Sequence, residues 1–231
     1  MKATRFLNIF MLSSLVTMAA CTEEETGNES VVTTLRASIE QKAETKTHLS
    51  GPGNNIYKTL WSEGDAIGVF AGSSNPSEFK LTGGAGTNSG EFTGAIPSGQ
   101  KIAVYPYSIC KSINGSSVSV VLPEEQTYKE ENIPDGAYPM VATSVENSLR
   151  FKNLCSVLKI SMTGSLTVNY IRFQTNNRKI RVSGNAIINV DSESPNLAIT
   201  EEGNSYVKLV CPAVPLSSDV TDFYIVVPAQ K

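Results

Sequence analysis

The sequence is poor in the side chains that most catalytic and metal sites use. It has one histidine, His48, in a stretch rich in threonine, glycine and proline, and one tryptophan, Trp61. A Ser-His-Asp or Cys-His arrangement needs a histidine, and we interpret His48 as an ordinary loop residue. No cysteine stands at zinc-ligand spacing from another cysteine or from His48. We therefore expect no enzyme, no metal and no cofactor, and we place a secreted hydrolase last among the possible functions.

The chain also lacks an excess of positive charge. Its 19 Lys and Arg residues stand against 22 Asp and Glu residues, a net charge of −3. Nucleic-acid-binding domains present a clustered basic surface, so we predict no nucleic-acid partner. With 40% hydrophobic and 18% charged residues, the composition is that of a globular protein and not of a disordered one.

Cysteines are few. Apart from Cys21, the chain has Cys110, Cys155 and Cys211, and an odd number of thiols cannot pair completely within one chain. We expect buried thiols that behave as small apolar groups. A disulfide between two of them remains an open alternative.

No apolar run is long enough to cross a membrane as a helix. The longest is residues 6–20, about 15 residues, whereas a bilayer core needs roughly 20. Lys2 and Arg5 precede this run and two alanines end it, which is the order of a secretory signal peptide, residues 1–20. Met18-Ala19-Ala20-Cys21 resembles a bacterial lipobox, and this implies lipidation of Cys21 and anchoring in the outer membrane at the cell surface. The alternatives are an ordinary signal peptide with a chance cysteine, or an internal core helix.

An acidic tether, residues 21–30, follows the lipobox. Thr22-Glu23-Glu24-Glu25-Thr26 resembles the surface-export signal of Bacteroidetes lipoproteins, and a plain solvated linker is the alternative. Removing residues 1–20, which contain Lys2, Arg5 and no acid, would change the net charge from −3 to −5.

The rest of the chain has the residue pattern of an all-β protein. Gly and Pro total 28, and short runs of Val, Ile, Tyr and Thr lie between them. Residues 149–163 are the strongest β stretch, with period-two alternation over residues 154–163, and predict one long strand. Asn114-Gly115 predicts a hairpin, and residues 123–136 predict a long acidic loop. We place a domain boundary near Gly164, which gives an N-terminal β-sandwich of residues 31–163 and a C-terminal one of residues 164–231.

Several segments resemble the fimbrillin family, the type V pilins of Bacteroidetes. Besides the lipobox at Cys21, the segments that show the resemblance are Trp61-Ser62-Glu63-Gly64-Asp65-Ala66-Ile67, Glu91-Phe92-Thr93-Gly94, Tyr105-Pro106, Leu122-Pro123-Glu124-Glu125-Gln126, Pro139-Met140-Val141-Ala142, Leu149-Arg150-Phe151-Lys152-Asn153-Leu154, Leu158-Lys159-Ile160, Ile171 and Phe223-Tyr224-Ile225-Val226-Val227-Pro228. Each segment alone is a weak signal, and their order along the chain carries the resemblance.

This resemblance implies two transthyretin-like Greek-key β-sandwich domains in a surface lipoprotein that serves as a stalk, anchor or tip of a pilus. In such a family, subunits are trimmed by an arginine-specific protease and joined by strand exchange. Arg36 is the only arginine between Cys21 and Arg150 and is the candidate trimming site; an outward-facing strand residue is the alternative. Family members usually continue past the Val-Val-Pro strand, so we expect the second domain to be incomplete, with an unpaired sheet edge.

Two functions remain open from the sequence. The first is a lipidated pilus subunit or adhesin in a fimbrium, whose partners are other pilin subunits. The second is a monomeric surface lipoprotein that binds a host glycan or protein and never enters a pilus.

Overall fold

The described part of the chain is built almost entirely of short β-strands. The computed structural model describes residues 31–40, 59–96, 99–191 and 194–229. In these ranges the strands are β1 (Val31–Ile39), β2 (Ala66–Phe70), β3 (Ser77–Gly83), β4 (Ser89–Ile96), β5 (Lys101–Tyr105), β6 (Cys110–Asn114), β7 (Ser117–Leu122), β8 (Glu125–Thr127), β9 (Met140–Ser144), β10 (Ser148–Asn153), β11 (Cys155–Met162), β12 (Thr167–Gln174), β13 (Gly184–Asn189), β14 (Asn196–Ile199), β15 (Tyr206–Pro215) and β16 (Thr221–Pro228). Tyr107–Ile109 form one 3-10 turn. The predicted all-β class is confirmed.

Seven strands close into a barrel in the order β1-β10-β9-β5-β2-β3-β4, and β4 pairs back with β1. Closure leaves no sheet edge, because every strand has a neighbour on both sides. The interior packs around Trp61, which is 1% exposed. The rings of Phe92, Tyr105 and Phe151 meet the indole edge-on, with centroids 4.9, 5.5 and 5.5 Å away. Trp61 is thus a core residue of the barrel.

A four-stranded sheet in the order β14-β13-β7-β6 covers one outer side of the barrel. Phe70, Val104 and Val141 of the barrel pack there against Val118 and Ile188 of the sheet. Successive residues of a strand point to opposite faces, so the barrel strands β2, β5 and β9 are apolar on both faces. This explains why they lack a clean alternation of apolar and polar residues.

The hairpin predicted at Asn114-Gly115 joins β6 to β7. Asn114 pairs with Ser117, so the two turn residues are Gly115 and Ser116. Gly115 has a φ of +58°, a conformation that glycine adopts without steric cost. The hairpin is confirmed, and the turn lies one residue later than the dipeptide signal.

The remaining strands form a β-sandwich. One layer is the pair β11-β16 and the other is β12-β15-β8. Between them, Val207 and Leu209 of β15 pack against Phe223 and Ile225 of β16, and all four side chains are fully buried or nearly so.

The single strand predicted over residues 149–163 is wrong. The structure divides it at Leu154: β10 pairs with β1 and β9 in the barrel, while β11 pairs with β16 in the sandwich. The alternation shifts by one residue at this point. Leu149 and Phe151 of β10 pack in the barrel core, whereas Leu158 and Ile160 of β11 pack in the sandwich core. The prediction that residues 123–136 form only a loop is also wrong, since β8 lies within them and pairs with β15.

Three pairings connect the chain across the boundary predicted near Gly164. One is the pairing of β11 with β16 in the sandwich. β13 pairs with β7 over six residues, from Gly184 opposite Leu122 to Asn189 opposite Ser117. β8 runs parallel to β15, with Glu125 opposite Lys208. Each half of the chain thus contributes strands to sheets that also contain strands of the other half. The division into residues 31–163 and 164–231 stays a prediction, as does the transthyretin-like Greek-key topology.

Gln126 joins the two layers of the sandwich at one side. This side chain is 6% exposed, and its amide meets the backbone of Val226 on β16. Its Nε2 donates to the Val226 carbonyl oxygen at 2.7 Å, and the Val226 N–H donates to its Oε1 at 2.9 Å. The amide therefore satisfies two backbone groups that β16 would otherwise bury unpaired.

We predict that Gln126→Leu destabilises the fold. It removes both hydrogen bonds and leaves a buried N–H and a buried C=O without partners, so the free energy of unfolding should fall by about 2–4 kcal/mol. Urea denaturation would measure the change. Thr127→Val, at the exposed next position of β8, is the matched control and should stay within about 0.5 kcal/mol of the parent. Equal stabilities of the two variants would contradict the role assigned to the amide.

Candidate functional site

The sandwich is open along the side opposite Gln126. β11 pairs only with β16, and β12 pairs only with β15, among the strands of the described ranges. The second edge of each strand therefore has backbone N–H and C=O groups with no strand alongside, and such an edge is a template for pairing with another chain. Within the described ranges, β12 of the second half has an unpaired edge of the kind expected there.

Apolar side chains line this open margin. The inward residues of β15 and β16 are buried, whereas those of β11 and β12 are only half-buried although they pack on the same core. The half-buried set comprises Leu158, Ile160, Met162, Val168, Ile171 and Phe173. An unpaired edge beside accessible apolar side chains is the arrangement that accepts an added β-strand, because the edge supplies hydrogen bonds and the side chains supply burial.

A second feature is a cleft between the turn at Ser62–Asp65 and the loop that follows β8. Its cavity is about 360 Å³, and its lining includes Asp65, Tyr105, Lys129 and Asp135. The Ser62 N–H donates to the Asp65 carboxylate at 2.7 Å, and the Tyr105 hydroxyl donates to it at 2.9 Å. Lys129 forms an ion pair with Asp135 across the loop.

The electrostatics of this cleft are set by burial. Desolvation is the largest influence on Asp65 and raises its pKa above 3.8, against the opposing effect of its hydrogen bonds from Ser62 and Tyr105. Burial and the neighbouring carboxylate raise the pKa of Tyr105 as well. Among the described residues, neither a histidine nor a cysteine lines the cavity, and no three metal-ligating side chains cluster together. Its polar groups mainly bond one another and fix the turn that carries Trp61.

Cys21, the predicted lipidation site, and His48 lie outside the described residues. The three other cysteines are free: Cys110 is half-buried, and Cys155 and Cys211 are buried. Burial raises the pKa of Cys110 and of Cys155 to about 12, so thiolate, the reactive form, is scarce at neutral pH. The expectation of buried thiols is confirmed for Cys155 and Cys211.

Arg36, the predicted trimming site, lies within β1 and points outward. Its side chain is 81% exposed, and its Nε is 3.7 Å from the Glu91 carboxylate. Its backbone is paired with Glu91 of β4 on one side and Ser148 of β10 on the other. A protease needs an accessible extended segment, so cleavage at Arg36 requires local opening of the barrel. Trimming stays a prediction, and the outward orientation is the alternative that the sequence left open.

Within the residues that the structure describes, no helix is long and apolar enough to cross a membrane.

Comparisons of the chain with protein-family models, with curated protein sequences and with solved structures gave no match. The fimbrillin resemblance therefore rests on the segments quoted above.

Sequence reasoning missed the functional residues at and next to β8. Gln126 lies in a segment that was interpreted as a solvated loop, and Glu124 beside it accepts a hydrogen bond from Tyr206 at 3.0 Å. Residues 123–127 show no apolar-polar alternation, and among them only Gln126 is buried, so the sequence offered no signal for this strand.

We predict that Asp65 makes stability depend on pH. A carboxyl group with a raised pKa in the folded protein takes up its proton at a higher pH than the unfolded chain does, so its contribution rises as the pH falls toward about 4. The free energy of unfolding of the parent, relative to Asp65→Asn, should increase between pH 7 and that value. Urea titrations across the range would measure this difference.

Asp222→Asn is the control, because the contribution of Asp222 to stability should change with pH in the opposite direction. Hydrogen bonds from Lys159 and Ser161 lower the pKa of Asp222, so its contribution is complete above its unfolded pKa of about 3.9 and is lost below it. A parent-minus-Asp65→Asn difference that stays flat, or that falls with decreasing pH, would refute the assignment.

Proposed function

We propose that the chain is a lipidated, fimbrillin-like protein of the cell surface that acts as a pilus subunit or adhesin and assembles by strand addition. The observation that carries the proposal is the open margin of the sandwich, where β11 and β12 each have an unpaired edge in the described ranges and half-buried apolar side chains. A strand from a second subunit would gain backbone hydrogen bonds at the edge and apolar burial in the groove.

The other edges of the described ranges differ from this margin. The outer sheet ends at β14 and at β6, each a single edge, and the Ile113 N–H of β6 donates to the Ser74 carbonyl oxygen. The barrel has none, because it closes on itself. On the other side of the sandwich, the Gln126 amide occupies the backbone groups of Val226. At the margin between β11 and β12, two edges that are unpaired in the described ranges border one apolar core.

Strand removal offers a second way to create a groove. Residues 31–35 of β1 pair with β4, whereas the pairing of β1 with β10 begins at Arg36. Leu35 is the one fully buried side chain in that segment, since Val31 and Val32 are exposed. Cleavage after Arg36 would therefore release a strand segment held along one edge and would open the barrel core at the position of Leu35.

The alternative function is a monomeric surface lipoprotein that binds a glycan or protein. A specific observation favours binding independent of assembly: Tyr170 is 59% exposed on the outer face of the sandwich, close to the cation Lys208. Partners in the proposed pilus are other subunits, and the anchor is the lipid on Cys21.

We predict that Ile160→Lys prevents assembly. The charge would lie in the groove, where an added strand must bury it without a partner. Formation of heat-resistant ladders by the full chain, followed by gel electrophoresis, would measure the effect. Val157→Lys is the matched control, since Val157 lies on the same strand but faces outward and is 37% exposed.

Both variants must be checked for folding by circular dichroism and thermal unfolding. Loss of ladders in folded Ile160→Lys, with ladders retained in Val157→Lys, supports strand addition at this margin. Ladders of equal strength in both variants, or a parent that forms none in the presence of its own trimming protease, would exclude it.

We also predict that Cys21→Ala abolishes lipidation. The thiol is the atom that would receive the acyl-bearing group, so labelled palmitate should enter the parent and not the variant. Thr22→Ala, which changes the neighbouring residue and keeps the thiol, should incorporate the label at the parental level. Label in Cys21→Ala would show that the anchor lies elsewhere or that none exists.

A further inference from the structure

The outer face of the β12-β15-β8 sheet carries an ordered group of aromatic and cationic side chains. We name it the tyrosine–cation face and define it as Tyr170 and Arg172 of β12 with Tyr206 and Lys208 of β15. The alternate residues of both strands, such as Phe173 and Leu209, point into the sandwich core. Since successive strand residues point to opposite faces, the four side chains of the tyrosine–cation face point to solvent.

Each cation of this face lies against a tyrosine ring. The Arg172 Cζ is 4.0 Å from the centroid of the Tyr206 ring, and the Lys208 Nζ is 5.5 Å from the centroid of the Tyr170 ring. A cation over an aromatic face is attracted by the negative π-face of the ring. A stacked guanidinium keeps its N–H edge available for a planar anion such as a carboxylate.

Two carboxylates hold this arrangement in place from β8 and the residue before it. The Tyr206 hydroxyl donates to Glu124 at 3.0 Å, and Lys208 donates to Glu125 at 2.9 Å. Tyr206 in turn supports Arg172. The face is therefore ordered before any ligand arrives, which reduces the entropy lost on binding.

The register places two positive charges opposite each other. Arg172 of β12 is the direct partner of Lys208 on β15, and like charges in that position destabilise a sheet. Lys208 has Glu125, but Arg172 is in none of the ion pairs within the described ranges. A guanidinium opposite another cation, stacked and without a carboxylate partner, is complementary to an anion supplied from outside.

The exposed ring beside these cations narrows the class of ligand. Tyr170 is 59% exposed, on the same face and strand as Arg172 and two residues away, about 7 Å along the strand. A sugar ring can lay its C–H face on an aromatic ring while a carboxylate that it carries reaches a neighbouring guanidinium. The hydroxyl groups of the sugar can donate to the carboxylates and accept from Lys208.

The mixed charges around the face argue against a nucleic acid. Arg178 and Lys179 lie in the loop after β12, but Glu201 and Glu202 lie in the loop before β15, and Glu124 and Glu125 border β8. A nucleic acid carries a charge on every phosphate, spaced a few ångström apart, and would meet these four carboxylates. A saccharide with a carboxylate on some of its rings avoids that repulsion.

We propose that the tyrosine–cation face binds an acidic saccharide, with a sugar ring on Tyr170 and a sugar carboxylate on the Arg172 guanidinium. Lys208 and Glu125 would hydrogen-bond the sugar hydroxyls. This inference gives the adhesin role a ligand class, and it does not depend on strand addition at the β11–β12 margin. A protein that fails to assemble can therefore still bind the saccharide, and the reverse also holds.

The test uses the full chain in mild detergent, titrated by calorimetry with a hyaluronan oligosaccharide, in which every second ring carries a carboxylate. The matched ligand is the same oligosaccharide with its carboxylates reduced to alcohols. Tyr170→Ala and Arg172→Gln should each weaken binding about tenfold, the effect of losing about 1.4 kcal/mol. The carboxyl-reduced ligand should bind the parent as weakly as the intact one binds Arg172→Gln.

Two control variants keep the result specific. Tyr170→Phe keeps the aromatic ring and should recover the binding that Tyr170→Ala loses, which assigns the contact to the ring and not to the hydroxyl. Arg150→Gln removes the same charge from an exposed position on the barrel strand β10 and should also leave the affinity unchanged. Thermal unfolding of each variant would confirm an intact fold.

Several results would overturn the proposal. They are no binding in the millimolar range, equal binding of the carboxyl-reduced ligand, and affinity unaffected by both Tyr170→Ala and Arg172→Gln. Equal or tighter binding of single-stranded oligothymidylate of the same total charge would also overturn it, since the face would then select for charge alone.

Discussion

The backbone groups at the strand edges constrain this structure more than any other feature. In an all-β chain, each backbone N–H and C=O must either bond another protein group or face water. Different parts of this molecule meet that requirement in different ways. The barrel closes, so none of its strands has an edge. At β16, the Gln126 amide takes the place of a strand and bonds both backbone groups of Val226. At β11 and β12, the edge stays open in the described ranges, and the apolar side chains behind it are half-buried.

The same constraint interlocks the two halves of the chain. β13, from the second half, pairs along β7, from the first, and β8 in turn pairs along β15. A chain whose sheets exchange strands in this way holds its layers together through hydrogen bonds as well as apolar packing. Neither ladder reaches the barrel, since one lies in the four-stranded outer sheet and the other within the sandwich. The outer sheet meets the barrel by apolar packing.

The tyrosine–cation face and the open margin lie on the same strand, β12, but they use different parts of it. The outward residues Tyr170 and Arg172 belong to the face, and the inward residues Ile171 and Phe173 belong to the core that borders the margin. The alternation of a strand allows this division, since one side of the backbone serves packing and the other serves solvent. Assembly and ligand binding, as proposed, would therefore depend on different residues of the same strand.

The sequence by itself determined the all-β class and the hairpin that joins β6 to β7, because period-two alternation and glycine turns are local signals. The alternation of β12 is enough to point Tyr170 and Arg172 outward, but it does not tell that Tyr206 and Glu124 hold Arg172 in position. Only the tertiary structure decided which strands lie beside β10 and β11, that β8 exists and that the Gln126 amide bonds the free backbone groups of β16. Each of these depends on which distant strand lies alongside, and a residue pattern records the face that is buried without naming the neighbour that buries it.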